Sequence, residues 1–140
     1  MKTIALIITL ILTTQFSNAQ DTTETHSISV SIDNVKSDTG KVVFSLHTAE
    51  SFMKSGGVQR LQSEIKDGKA TATFIDVTPG TYAIMTIHDE NENNAMDFDA
   101  SGMPTESYGM SNNPMSYGPP QFYEAKFELI NEDLNFAIRF

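Results

Sequence analysis

The 140-residue sequence has no cysteine, which excludes disulfide staples, thiol chemistry, zinc–thiolate sites and iron–sulfur clusters. Basic residues are few, nine Lys and Arg against 18 Asp and Glu, for a formal charge of −9. Nucleic acid is therefore not expected as a partner, while an acidic surface favours solubility and attracts divalent cations. No glycine-flanked serine elbow and no phosphate-cradling glycine loop occurs. The three histidines, His26, His47 and His88, have none of the short spacings of zinc ligands. Helical periodicity is scant: only residues 49–60 have room for a short helix, and Gly56-Gly57 argue against it. No internal repeat is visible.

A bilayer-spanning apolar run is missing too. Spanning takes about 20 apolar residues, whereas the run from Ile4 to Leu12 is followed by Thr13, Thr14, Gln15, Ser17 and Asn18. With Lys2 before it and Ser17-Asn18-Ala19 after it, this stretch reads as a secretory signal peptide, residues 1–19, cleaved before Gln20. No cysteine follows to accept a lipid. The expectation is an exported protein, periplasmic or extracellular, with no stable membrane insertion after cleavage. Cleavage would remove one lysine and leave 121 residues with eight basic and 18 acidic side chains, a net charge of −10. That length suits one domain with one core, and a monomer is expected.

Residues 20–26 are polar and read as a flexible lead-in to a domain over 27–140. Ile28, Val30 and Ile32 alternate with serines, and Val42, Phe44 and Leu46 repeat the period of two within Lys41 to His47. Asp67-Gly68 between Leu61–Lys66 and Lys69–Ile75 predicts a hairpin. Thr78-Pro79-Gly80 predicts a turn into a largely apolar central strand, Thr81 to His88. Ala125, Phe127 and Leu129, then Leu134, Phe136, Ile138 and Phe140, predict a closing hairpin. The whole predicts an all-β fold, a single antiparallel β-sandwich of about seven strands with one long, partly ordered acidic loop.

That loop carries the chemistry. About 35 residues separate His88 from Glu124, far more than the usual connection of about five. It opens Asp89-Glu90-Asn91-Glu92-Asn93-Asn94-Ala95-Met96-Asp97-Phe98-Asp99. Oxygen-bearing side chains at Asp89, Asn91, Asn93 and Asp97, with the Ala95 carbonyl and Asp99, fit the alternate-residue pattern by which a tight loop supplies a calcium ion's oxygens. The spacing follows the start of an EF-hand loop, with Asn94 where that loop has its turning glycine. Ala100 falls at the place of the closing glutamate, so Asp99 or Glu106 would substitute. The alternative is an acidic solvated turn whose Asn and Asp side chains cap their own backbone. Beyond it, Tyr108, Tyr117, Phe122 and Tyr123 lie among turn formers and, with His88 and Glu106, are a candidate ligand surface. The competing reading is that they lock the loop onto its own domain.

Several of these residues together resemble an uncharacterised family of exported bacterial proteins, domain of unknown function 2141. Its carriers are Phe74, Asp76, Pro79-Gly80 and Tyr82, then His88-Asp89, Asn91, Asn93 and Asp97, then Gly102, Pro104, Glu106, Gly109, Ser111-Asn112 and Pro120. The family pattern usually has glycine at the Asn94 position. The resemblance implies a secreted or periplasmic β-sandwich, similar to transthyretin-like or carboxypeptidase-regulatory-like modules, with no established activity and no catalytic residue to carry over.

The expected function is a non-catalytic binding or structural module, calcium-stabilised through the acidic loop, that meets a protein, peptide or glycan ligand. No catalytic residues are assigned, and an enzyme of unknown type is the weakest alternative. The rival from another class is copper handling by Met96, Met103, Met110 and Met115, whose thioethers suit cuprous ions; methionines filling gaps under a loop account for the same count.

Overall fold

A computed structural model describes residues 23–54, 56–115 and 117–140. The expected signal peptide lies outside the described residues. The first strand, β1 (His26–Ile32), buries the alternating face that its sequence period requires. It is followed by β2 (Lys41–His47), β3 (Gln59–Glu64), β4 (Ala70–Val77), β5 (Gly80–Asp89), β6 (Tyr108–Met110), the short helix α1 (Phe122–Ala125), β7 (Phe127–Leu129) and β8 (Leu134–Ile138). One sheet has the order β4-β1-β8 and the other β3-β2-β5-β6, with β7 also paired to β5.

The two sheets enclose one core. Ile28, Val30 and Ile32 from β1, Val42, Phe44 and Leu46 from β2, Phe74 from β4, Ile84 from β5 and Ile138 from β8 are all buried in it. Phe44, Phe74 and Ile84 are wholly buried. Burial on this scale supplies the driving force that a cysteine-free domain needs. The fold is the expected all-β sandwich, with eight strands among the described residues in place of about seven.

Of the two expected hairpins, one keeps its turn and the other does not form. At Asp67 and Gly68 the φ angles are 53° and 72°, the double positive φ of a tight hairpin turn. Only Lys66 pairs with Lys69 there; beyond them the arms part, β3 to β2 and β4 to β1. The closing hairpin is absent: β7 pairs with β5, and β8 runs parallel to β1, so the sandwich is not purely antiparallel. The register aligns Leu134, Phe136 and Ile138 with Ile28, Val30 and Ile32, which puts both apolar rows on the core face, an outcome that a β7–β8 pair would forgo. Asp133 Oδ1 accepts from Ser27 N at 2.7 Å, and Asn34 Nδ2 donates to Phe140 O at 2.8 Å, fixing β8 at both ends. Residues 49–54 form turns rather than a helix.

The face of the larger sheet that turns away from the core positions the site. Val43, Ser45 and His47 of β2 lie there beside Ala83, Met85 and Ile87 of β5. A second small core of Phe52, Ala83, Met110 and Ala125 covers one end of it. The acidic loop leaves from β5 at the other end.

Candidate functional site

The loop is built around a buried carboxylate. Asp89 ends β5 and is 1% exposed; its Oδ1 accepts from Asn93 N at 3.1 Å and its Oδ2 from Asn94 N at 2.8 Å. The chain is thereby folded back on itself, with positive φ at Glu92 (59°) and Asn94 (64°). Asn91 Oδ1 accepts from Asn93 N at 3.1 Å, and Asn93 Oδ1 from Ala95 N at 2.8 Å, each an Asx turn nested in the larger one. The Asn91 amide donates to Asp97 Oδ2 at 2.6 Å, and the Asn93 amide to Asp97 Oδ1 at 3.0 Å and Oδ2 at 3.1 Å.

Glu106 closes the loop from its far end. Its Oε1 accepts from Glu90 N at 3.0 Å and its Oε2 from Asp97 N at 3.2 Å, so one largely buried carboxylate clips both ends of the segment. Asp99 turns elsewhere: its Oδ1 accepts from Ser101 N, Ser101 Oγ and Met103 N at 2.8, 2.7 and 2.9 Å, organising a separate turn. The Ser101 hydroxyl foremost, and then the Met103 N–H, hold the Asp99 carboxyl below its ordinary range. Asp89, Asn91, Asn93 and Asp97 thus come together with Glu106, and Asp99 stands apart. Among the described residues no three Asp, Glu, His or Cys side chains gather as a metal-holding group. A cation here would rely on Asn amide and backbone oxygens beside two aspartates, and would compete with the Asn91 and Asn93 amides for Asp97.

The asparagine at the sixth loop position makes one contact that glycine could not: the Gln62 amide donates to Asn94 Oδ1, beside the bond from Arg60 Nη2 of β3 to the backbone Asn94 O at 2.6 Å. The loop is docked on β3 through one residue. Asn94→Val should destabilise the domain by about 2 kcal/mol, from positive φ on a β-branched residue and the lost bond. Asn94→Gly should change stability by less than about 1 kcal/mol, because relief of strain offsets that bond. Urea denaturation of both variants checks the pair.

Docking the loop creates a groove of about 320 Å³ on the outer sheet face. Ser45, His47, Met85 and Ile87 form its floor, Met53 and Gly56 one rim, and Asn94, Met96, Phe98 and Pro104 of the acidic loop the opposite wall, with Arg60 between. Tyr108 and Pro120 complete it. The lining is mostly apolar, as small-molecule sites are. Burial pushes the His47 imidazole below its ordinary value; the Ser51 carbonyl, 3.2 Å from Nδ1, opposes this, and the Arg60 charge adds to it. A depressed histidine means that the unfolded chain binds the proton more readily, so its contribution is intact above about pH 6.5 and is lost as pH falls below it. Wild type should lose more stability than His47→Gln between pH 7.5 and 5.5, by up to about 1.4 kcal/mol per unit, read from urea midpoints at each pH.

The other candidates scatter. His88 is fully buried, with Nε2 2.8 Å from Thr39 O, Nδ1 3.5 Å from Glu90 Oε1 and its ring stacked on Phe140. Phe122 packs edge-on against Phe52 with centroids 5.6 Å apart, while Tyr117 and Tyr123 stand exposed. Only Tyr108 of the four aromatics lines the groove. The four loop methionines do not converge either: Met110 is buried in the second core, Met103 and Met115 are exposed, and Met96 alone is in the groove.

Ser111 and Asn112, read in the sequence only as carriers of the family resemblance, and Asn113 beside them hold the far side of the loop. Ser111 Oγ accepts from Ile84 N at 3.0 Å and donates to Ala125 O at 2.5 Å. Asn112 Nδ2 donates to Glu124 O and Lys126 O at 3.1 and 3.0 Å, and Asn113 bonds Ala137 O and Arg139 N at 2.9 and 2.8 Å. The consecutive asparagines, both at positive φ, were the available sign.

Fold and loop together define the class: an all-β sandwich with an acidic loop docked over one sheet. The chain belongs to the family described as an uncharacterised protein conserved in bacteria, domain of unknown function 2141, which it matches over residues 30–137. No curated protein matches it. Among solved structures it is similar to the pilus-presented adhesin Cpa, with 16% identity over 84% of this chain and 26% of that chain and a TM-score of 0.27. A mutant of the same adhesin gives 14% identity, 83% and 27% coverage, and a TM-score of 0.24. The chain spans about a quarter of the adhesin chain's length (26%).

Proposed function

We propose that this domain is a non-catalytic binding module, acting in the periplasm or outside the cell, whose acidic loop is stabilised by calcium and forms one wall of a ligand groove. The observation that carries the reading is the shared use of residues 89–106: Asp89, Asn91, Asn93, Asp97 and Glu106 organise the segment from within, while Asn94, Met96, Phe98 and Pro104 of the same segment line the groove. A calcium ion takes six to eight oxygens at about 2.4 Å. Two carboxylates, two amide oxygens and the Ala95 carbonyl, with water, supply such a set. The competing solvated-turn reading accounts for the Asx turns, and it predicts no response to the ion.

The test is calorimetric titration of residues 20–140 with calcium. A dissociation constant near 10⁻⁴ to 10⁻³ M, the range of extracellular calcium modules, is expected, and Asp89→Ala with Asp97→Ala should abolish the heat. A flat titration of wild type would leave the loop as a solvated turn.

Copper handling is the second reading, favoured by a set that shares only Met96 with the loop methionines: His47, Met53, Met85 and Met96 line the same groove. The Arg60 charge beside them disfavours a cation there, which places this reading below the first. Leucine at Met53, Met85 and Met96 would abolish cuprous binding and spare calcium binding if copper is the cargo.

A further inference from the structure

We infer that the groove takes a small organic carboxylate with an apolar body, held by Arg60 at the charged end and by the methionine-lined floor along the rest. The inference rests on the proposed binding reading and names the ligand class for that site. Among the described residues that line the groove, Arg60 is the one carrying a fixed charge, in a chain whose balance is strongly acidic. An anion is thus drawn to this spot and repelled by most of the remaining surface.

The guanidinium is held ready for such a contact. Nη2 donates to Asn94 O at 2.6 Å, and a β-carbon placed on Gly56 would lie 3.6 Å from Arg60 Cδ and 3.7 Å from Nη1, so the side chain is set between the two rims. A guanidinium has five N–H donors; the bond to Asn94 uses one, and the side chain is exposed. The remaining donors form the planar fork that matches a carboxylate bidentately. His47, its imidazole pushed toward the neutral form by burial, leaves Arg60 as the anchoring charge at neutral pH. Below the fork, Met85, Met96 and Ile87 offer polarisable, adaptable surface that favours aromatic or aliphatic bodies. A neutral apolar molecule would satisfy the floor and leave the fork to water.

The experiment uses 4-phenylbutyrate and its neutral counterpart 4-phenylbutanamide, titrated into protein carrying ¹³C-labelled methionine methyls, in calcium and again in chelator. The acid should shift the Met53, Met85 and Met96 methyls and leave the exposed Met103 and Met115 methyls in place. It should bind about 10-fold tighter than the amide, the scale of one charge-assisted contact. Arg60→Gln should remove that preference, so that acid and amide bind alike, and Arg60→Lys should keep part of it. Equal binding of acid and amide to wild type, or no shift in the three groove methyls, overturns the inference without reference to any variant's folding. If the acid is preferred in chelator and the calcium titration is flat, the calcium reading fails and this one stands; if calcium binds and the preference is missing, this one fails alone.

Discussion

Asp89→Ala should lower the stability of the domain by about 3 kcal/mol, the scale of two charge-assisted hydrogen bonds lost at a buried site. For a domain of this size that corresponds to a melting temperature lower by about 10 °C. The carboxylate is sealed from solvent at the end of β5, and its two oxygens receive the N–H groups of Asn93 and Asn94. Alanine leaves both donors without their acceptor and frees the turn at positive φ. Asp89→Asn keeps the shape but turns an NH₂ toward one donor, so it should recover at most half of the loss. Because Asn94 docks the loop on β3 through Arg60 and Gln62, the Met96 methyl should also lose its groove environment. Thermal melting and methionine-methyl spectra of the two variants check this. A Tm within about 2 °C of wild type would show that the loop is held by other contacts.

Gly40→Ala should be of similar size, about 2–4 kcal/mol, from overpacking against rigid backbone and a left-handed conformation on a residue with a side chain. Gly40 has φ +75°, and a β-carbon there would lie 2.2 Å from Asp89 O and 2.6 Å from Glu90 Cα. None of these atoms is the end of a flexible side chain, so either the turn before β2 or the exit of β5 must shift. The bond from His88 Nε2 to Thr39 O, 2.8 Å long, would move with it. Urea denaturation reads the loss, and a change confined to less than about 0.5 kcal/mol would mean that the two backbones separate easily.

Much of this architecture was legible because short-range physics sets it. The alternation in Ile28, Val30, Ile32 and in Val42, Phe44, Leu46 has one solution in a two-layer fold, and Asp67-Gly68 adopts the turn that its φ tolerance favours. What stayed hidden is long-range. Nothing local distinguishes a β7–β8 hairpin from the observed partition, in which Leu134 aligns with Ile28 across the sequence. In the loop, Asp89, Asn91, Asn93 and Asp97 were readable from spacing alone. Asp99 is equivalent to them by composition, yet the neighbouring Ser101 and Met103 N–H groups capture its carboxylate. The groove was not legible, since it needs β2, β5, the 53–56 turn and the acidic loop brought to one face, and Arg60 fell within residues 49–60, read as room for a short helix rather than as part of β3.

Organisation of the loop by calcium is tested most directly by the melting temperature of wild type and of Asp89→Ala with Asp97→Ala, each in chelator and in 10 mM calcium. With a dissociation constant of about 10⁻⁴ M, that concentration stabilises the folded state by about 2.7 kcal/mol. Wild type should therefore melt about 10 °C higher in calcium than in chelator, and the double variant should melt at the same temperature in both. Equal melting temperatures for wild type in the two conditions, or an equal rise in the double variant, would contradict a calcium-organised loop.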